Sequence, residues 1–225
     1  MRYERNRSSI SEKENQLLSE KRVCIVGAGG LGGYVMEMLA RIGVGHISIV
    51  DGDVFDETNL NRQILSDEKV LGRKKVEVAL ERMERVNSQI QIIGIGEFLT
   101  KENANNLLAG HDVIIDALDD IDTRFIVQDE AEKLAIPMVH GAIAGWYGQV
   151  ATIMPGDRTL NMIYRHNENK GAETKLGNLS FPPAMVASIE VAEAIKILLD
   201  KGEILRHQIL FIDLLNQDYH RFELS

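Results

Sequence analysis

The stretch that most limits how this chain can fold is a short strand, a glycine-rich turn and a helix, in that order. Residues 22–27, Arg22-Val23-Cys24-Ile25-Val26-Gly27, are apolar, β-branched and stopped by glycine, as a buried strand should be. Gly27-Ala28-Gly29-Gly30-Leu31-Gly32 follows and leads into a helix over 30–42, with Leu31, Val35, Met38, Leu39 and Ile42 on one face. A second strand, 46–50, ends at Asp51, 24 positions after Gly27. Glycines in such a turn let the backbone approach a phosphate, and the helix start points free N–H groups and its positive dipole end at the anion. A carboxylate at the end of the second strand can accept hydrogen bonds from ribose hydroxyls. Gly27, Gly29, Gly30, Gly32 and Asp51 are therefore candidate nucleotide ligands, though the unit does not say which nucleotide. A plain strand–helix packing turn would explain one glycine better than four.

The rest of the chain continues the alternation. Residues 90–95, 112–117 and 137–142 read as strands, and 73–86, 102–109 and 122–135 as helices. Strand–helix alternation with right-handed crossovers gives a parallel sheet covered on both faces. Beyond Trp146 the pattern changes: a strand within 146–155, then a polar, glycine-rich stretch over 155–181 that reads as a functional or mobile loop. A helix over 182–201 opens with two prolines, and strands near 208–213 and 218–223 follow. The expected fold class is α/β: a Rossmann-like, mostly parallel sheet with helices on both faces and C-terminal antiparallel strands. We expect one domain over 1–225, with 1–20 as a polar N-terminal arm.

Composition removes some function classes. A net charge of −9 argues against nucleic acid as a partner, because a phosphate backbone would be repelled. No apolar run reaches the ~18 residues of a membrane span, and the N-terminus has no signal-peptide core, so a cytoplasmic protein is expected. The single cysteine, Cys24, reads as a small core residue and excludes a disulfide framework.

The segment after Asp51 separates the cofactor classes. It reads Asp51-Gly52-Asp53, then Asn59-Leu60-Asn61-Arg62-Gln63, then Gly72-Arg73-Lys74-Lys75. A triphosphate carries more charge than a dinucleotide, and Arg62 and Lys75 could neutralise it, with Asn59 and Gln63 as neutral donors. With these motifs, with Arg2-Tyr3-Glu4-Arg5 at the start, with Asp116-Ala117-Leu118-Asp119-Asp120, with Gly141…Gly148-Gln149-Val150 and with Ala192-Glu193-Ala194-Ile195-Lys196, the chain resembles the MoeB/ThiF family over nearly its whole length. That family comprises the activating enzymes of ubiquitin-like sulfur-carrier proteins, and its fold is shared with ubiquitin-activating enzymes. The resemblance implies ATP-dependent adenylation of the C-terminal glycine carboxylate of a carrier. It gives Asp51 the ribose, with Asp53 in the same motif, and Asn59, Arg62 and Lys75 the phosphates. Asp119 becomes the magnesium-associated aspartate, and Arg5 an arginine reaching into the other subunit's site of a homodimer. Arg124 matches a family arginine to which we attach no role.

Two departures narrow the expectation. Many relatives hold zinc between two CxxC pairs; here the first position reads Asn161-Met162-Ile163-Tyr164 and no second pair follows, so no zinc site is expected. Where some relatives carry an acyl-accepting cysteine, this chain reads Gly177-Asn178-Leu179-Ser180-Phe181, so the reaction is expected to stop at the adenylate. The competing readings are adenylation of another carboxylate, such as a modified tRNA base or a peptide, a non-catalytic partner subunit, and an NAD or FAD oxidoreductase. The last would need a catalytic acid–base pair beyond the glycine loop, and none competes.

Overall fold

A computed structural model describes residues 2–164 and 171–224. Its centre is a set of parallel strands, β1 (Arg22–Val26), β2 (His46–Val50), β3 (Gln91–Ile95), β4 (Val113–Asp116) and β5 (Met138–Ala144). β6 (Tyr147–Ile153), β7 (Gln208–Asp213) and β8 (Asp218–Glu223) add antiparallel, giving the order β3-β2-β1-β4-β5-β6-β7-β8. The order reverses between β1 and β4, and ligands of open α/β sheets bind outside the carboxyl ends of the strands at such a point.

Alternation along β1 shows how the sheet becomes the middle layer. Val23 and Ile25 join one core cluster and Cys24 and Val26 the other, and all four are buried. The first cluster is roofed by α2 (Gly30–Ile42), α3 (Lys75–Val86) and α8 (Pro182–Leu199), the second by α4 (Ala104–Leu108) and α5 (Ile121–Leu134). α2 ends at Gly43, whose φ of 96° is a left-handed cap. α8 opens on Pro182 and Pro183, where missing N–H groups cost little. α5 is capped by Asp120, whose carboxylate accepts from the Thr123 N–H at 2.7 Å. Among the described residues no helix is long and apolar enough to cross a membrane.

The structure differs from the sequence reading at two places. The stretch 155–181 contains α6 (Thr159–Ile163) and α7 (Glu173–Leu176); its residues 165–170 lie outside the described ones. α6 is too short to show a period, and it forms because Leu160 is buried and its N–H donates to Gln128 Oε1 at 2.9 Å. The N-terminal arm is also bound to the core. It carries α1 (Glu12–Leu18), started by a Ser11–Glu14 capping box, and it buries Ile10 and Leu18.

Candidate active site

A cavity of about 590 Å³ opens at the carboxyl ends of the strands and spans the switch point. The loop glycines meet it in two ways. Gly27 and Gly32 are required by the fold itself. Gly27 has φ 104°, and a Cβ there would sit 2.5 Å from the Ala117 carbonyl oxygen. At Gly32 a Cβ would lie 1.8 Å from the Gly27 carbonyl oxygen, so Gly32 lets α2 press against the end of β1 and does not line the cavity. Gly29 and Gly30 line it, and a Cβ at either would find its nearest protein atom at 3.5 Å, an ordinary contact. Packing within the chain therefore does not explain the second pair. Gly29 caps α2 without any side-chain hydrogen bond, which leaves the first N–H groups of the helix to a ligand.

Asp51 ties the loop to the end of β2. Its Oδ2 accepts from the Ala28 N–H at 2.7 Å and its Oδ1 from the Asp53 N–H at 2.8 Å, so the carboxylate is oriented with lone pairs to spare. Two cations line the same cavity. Lys75 is buried at the start of α3, with Nζ 3.0 Å from Asp53 Oδ2. Arg62 is half-buried; its Nη1 donates to the Thr58 carbonyl and to Asn61 Oδ1, each at 3.0 Å, which uses only part of the guanidinium. Gln63 is buried beside Gly29, and its Oε1 has no hydrogen-bond partner among the described residues. Asp119 lines the cavity just past β4, exposed, in no hydrogen bond or ion pair among the described residues.

Behind this wall lies a buried polar cluster. Asp116, the last residue of β4, has Oδ2 2.7 Å from His140 Nδ1 and 3.8 Å from Arg124 Nε. Burial pulls the Asp116 carboxyl up, but the Arg124 charge and the His140 hydrogen bond outweigh it and leave it lowered. Burial is the main cause that holds His140 below its ordinary 6.5, which favours the neutral ring; in the tautomer that suits its neighbours, Nδ1–H donates to Asp116 and Nε2 accepts from the Tyr164 hydroxyl at 3.2 Å. That hydroxyl accepts in turn from Arg124 Nη1 at 2.5 Å and from Gln149 Nε2 at 3.1 Å. Arg124, Gln149 and Tyr164 reach the cavity, so the cluster delivers an oriented cation and amide to its floor. On the opposite side of β5, the Glu190 carboxyl fills the space a Gly141 Cβ would need.

The cavity thus gathers Gly27, Gly29, Gly30, Asp51, Asp53, Arg62, Gln63, Lys75 and Asp119 from the sequence-derived set, and leaves out Gly32, Asn59 and Arg5. The Asn59 Oδ1 accepts from the Asp56 N–H at 3.1 Å in a capping turn. Arg5 lies with the docked N-terminus at the other end of the sheet: the Tyr3 hydroxyl accepts from Asn87 Nδ2 at 2.8 Å, and its ring stands where a Gly43 Cβ would be. The length of α2, about 20 Å at 1.5 Å per residue, separates that end from the glycine loop. Sequence reasoning assigned no role to His140, Gln149 or Tyr164. Gln149 stands in a quoted motif, but nothing in the linear pattern marks Tyr164, which enters the site because α6 turns the chain back.

The model of the ThiF family matches residues 3–225. The chain is 34% identical over 211 residues to the SAMP-activating enzyme E1 of Haloferax volcanii, covering 92% of this chain and 78% of that protein. It is 32% identical over 221 residues to the sulfur carrier protein adenylyltransferase of Thermus thermophilus, covering 94% and 82%. To the sulfur carrier protein ThiS adenylyltransferase of Bacillus subtilis it is 34% identical over 203 residues, 88% of this chain but 60% of that longer one. Among solved structures, Escherichia coli MccB superposes with a TM-score of 0.85 at 21% identity, over 100% of this chain and 70% of that one. At that identity the likeness concerns the fold alone.

Proposed function

The chain belongs to the ThiF family, and from that premise we propose that it adenylates the C-terminal glycine carboxylate of a ubiquitin-like sulfur-carrier protein. It is an adenylyltransferase of this type, and ATP is its substrate. The observation that carries the reading is the wall of the cavity. Beyond the glycine loop it holds two cations, Arg62 and Lys75, and a carboxylate, Asp119, that is unengaged among the described residues. A dinucleotide site has little need of that set.

In the reaction a carboxylate oxygen of the carrier attacks the α-phosphorus of ATP. The bond from that phosphorus to the bridging oxygen of pyrophosphate breaks, leaving an acyl-adenylate. The protein's work is alignment and charge neutralisation. Gly29, Gly30 and the start of α2 cradle phosphate, with Asp51 on the ribose, Gln63 as a neutral donor, and Arg62 and Lys75 on the phosphoryl oxygens. Asp53 presents Lys75. Asp119 fits Mg²⁺, which prefers one or two carboxylates together with phosphate oxygens; there the ion would neutralise charge on the leaving pyrophosphate. Asn59 shapes the turn that carries Arg62. In this reading 1–225 works as one adenylation unit in the cytoplasm, without zinc. It acts as a homodimer in which Arg5 serves the partner's site, since Arg5 lies a helix length from its own.

The test is ATP–pyrophosphate exchange with candidate carrier proteins. Carrier-dependent exchange is expected, lost by roughly 10²–10³-fold in Arg62→Ala and Lys75→Ala. Tight NAD binding with no ATP binding would overturn the reading.

A further inference from the structure

Between Leu176 and Leu179 the chain crosses the cavity as a strap. The Gly145 N–H donates to the Gly177 carbonyl at 2.8 Å, Gly145 and Asn178 form an isolated parallel bridge, and Asn61 Nδ2 donates to the Asn178 carbonyl at 2.9 Å. On the strap's side all of these anchors are main chain. They join the β5–β6 turn, at Gly145, to the segment that carries Arg62. The Asn178 side chain takes no part in this. It lines the cavity, its Oδ1 is buried, and it has no hydrogen-bond partner among the described residues.

A buried amide oxygen without a partner is costly, and native structures keep such groups where something else satisfies them. The position says what that would be. Asn178 has its carbonyl held by Asn61, the neighbour of Arg62, and follows Leu176 by two residues; Tyr147 and Phe211 line the same cavity. Tyr147 and Phe211 stack there with centroids 5.8 Å apart. The ribose acid Asp51 lies on the far wall, at the end of β2. An extended acyl chain that enters beneath the strap runs past Asn178, and each of its peptide units brings an N–H and a C=O that need partners. A primary amide offers a donor and an acceptor in one plane, the complement of a peptide unit.

We propose that the Asn178 side-chain amide recognises the last peptide unit of the acyl substrate. It is a specificity residue for the tail and not a ligand of the nucleotide. The inference rests on the adenylation reading above. The test uses full-length protein and a panel of glycine-terminated ubiquitin-like sulfur-carrier proteins, with pyrophosphate exchange and calorimetric ATP titration read side by side. Asn178→Ala should raise the carrier KM about tenfold, the effect of one lost hydrogen bond, leave ATP affinity unchanged and not lower the thermal midpoint. Asn178→Asp keeps the shape but places an anion beside the reacting carboxylate, and should raise KM further. Asn178→Gln, which keeps the amide, should recover part of the loss. An active wild type with an unaltered carrier KM in Asn178→Ala would overturn this inference alone. So would an ATP affinity that falls in step with the carrier KM, since the amide would then serve the nucleotide. A wild type that binds ATP but shows no exchange with any carrier would overturn the adenylation reading and this inference with it.

Discussion

Single alanine substitutions in the glycine loop separate what the fold needs from what a nucleotide needs. At Gly32 a Cβ would lie 1.8 Å from the Gly27 carbonyl oxygen, roughly 1.5 Å short of an ordinary contact. Both groups are main chain, one on α2 and one at the end of β1, so only a shift of the helix relieves the clash. Overpacking costs about 1–3 kcal/mol where side chains can adjust, and a moving backbone puts Gly32→Ala at or beyond ~3 kcal/mol. That is a large share of a domain stability of about 5–15 kcal/mol. Gly30 is different. Its Cβ would meet Pro183 Cγ at 3.5 Å and Arg62 Cγ at 3.8 Å, both ordinary contacts, and it is the first residue of α2. Alanine there gains helix propensity, so Gly30→Ala should melt at or slightly above the wild type. The added methyl stands where phosphate would approach the helix start, and ATP binding should weaken at least about tenfold, ~1.4 kcal/mol. Thermal unfolding with and without ATP·Mg²⁺, backed by calorimetric titration, reads both effects. Ligand stabilisation follows RT ln(1 + [L]/Kd), so the ATP-induced rise in midpoint should shrink in Gly30→Ala while the ligand-free midpoints agree. Wild-type ATP affinity in Gly30→Ala would refute the cradle, and wild-type stability in Gly32→Ala would refute the packing account.

Burial, then the Asp116 charge, push the Glu190 carboxyl well above its ordinary 4.5, with Arg124 pulling the other way. A raised acid keeps its proton in the folded chain after the unfolded chain has lost it, so wild-type stability should fall as pH rises from 4.5 toward the folded pKa. Glu190→Gln should flatten that slope in denaturant titrations at several pH values, and an unchanged slope would count against a protonated Glu190. The Cys24 thiol is pushed up to about 12 by burial, so iodoacetamide should label it only at the rate of unfolding; fast labelling of folded protein would contradict its placement. If Arg5 acts across a dimer interface, Arg5→Ala and Asp119→Ala should each lose exchange activity, and a re-equilibrated mixture should regain part of it. One site of the mixed dimer would then hold both residues. A monomer, or verified subunit exchange without recovery, would count against the arrangement.

Much of this architecture was legible because its signals are local. α2 and β2 start and stop where periodicity and glycine say they should, and the 208–213 and 218–223 strands fall where alternation and turn residues put them. The glycine loop and Asp51 could be named because they stand at strand ends, whereas Arg62, Lys75 and Asp119 were named from their charge and from the family resemblance; all of them line the one cavity. What failed was also physical. α6 is held by Gln128 and by the burial of Leu160, contacts 32 residues apart in sequence that no window detects.

The sequence alone thus determined the layers, the strand–helix alternation and the glycine-loop corner of the sheet, since backbone preference and apolar period act over a few residues. Only the tertiary structure decided which side chains share the cavity. Asn59 turns to cap its own loop, Arg5 lies exposed a helix length away, and Tyr164 and Gln149 converge on Arg124 from separate elements. Asn178 arrives on a strap fastened at Gly145 and Asn61. Where a side chain points depends on partners that meet only when the chain has folded, and the linear order of residues does not carry that direction.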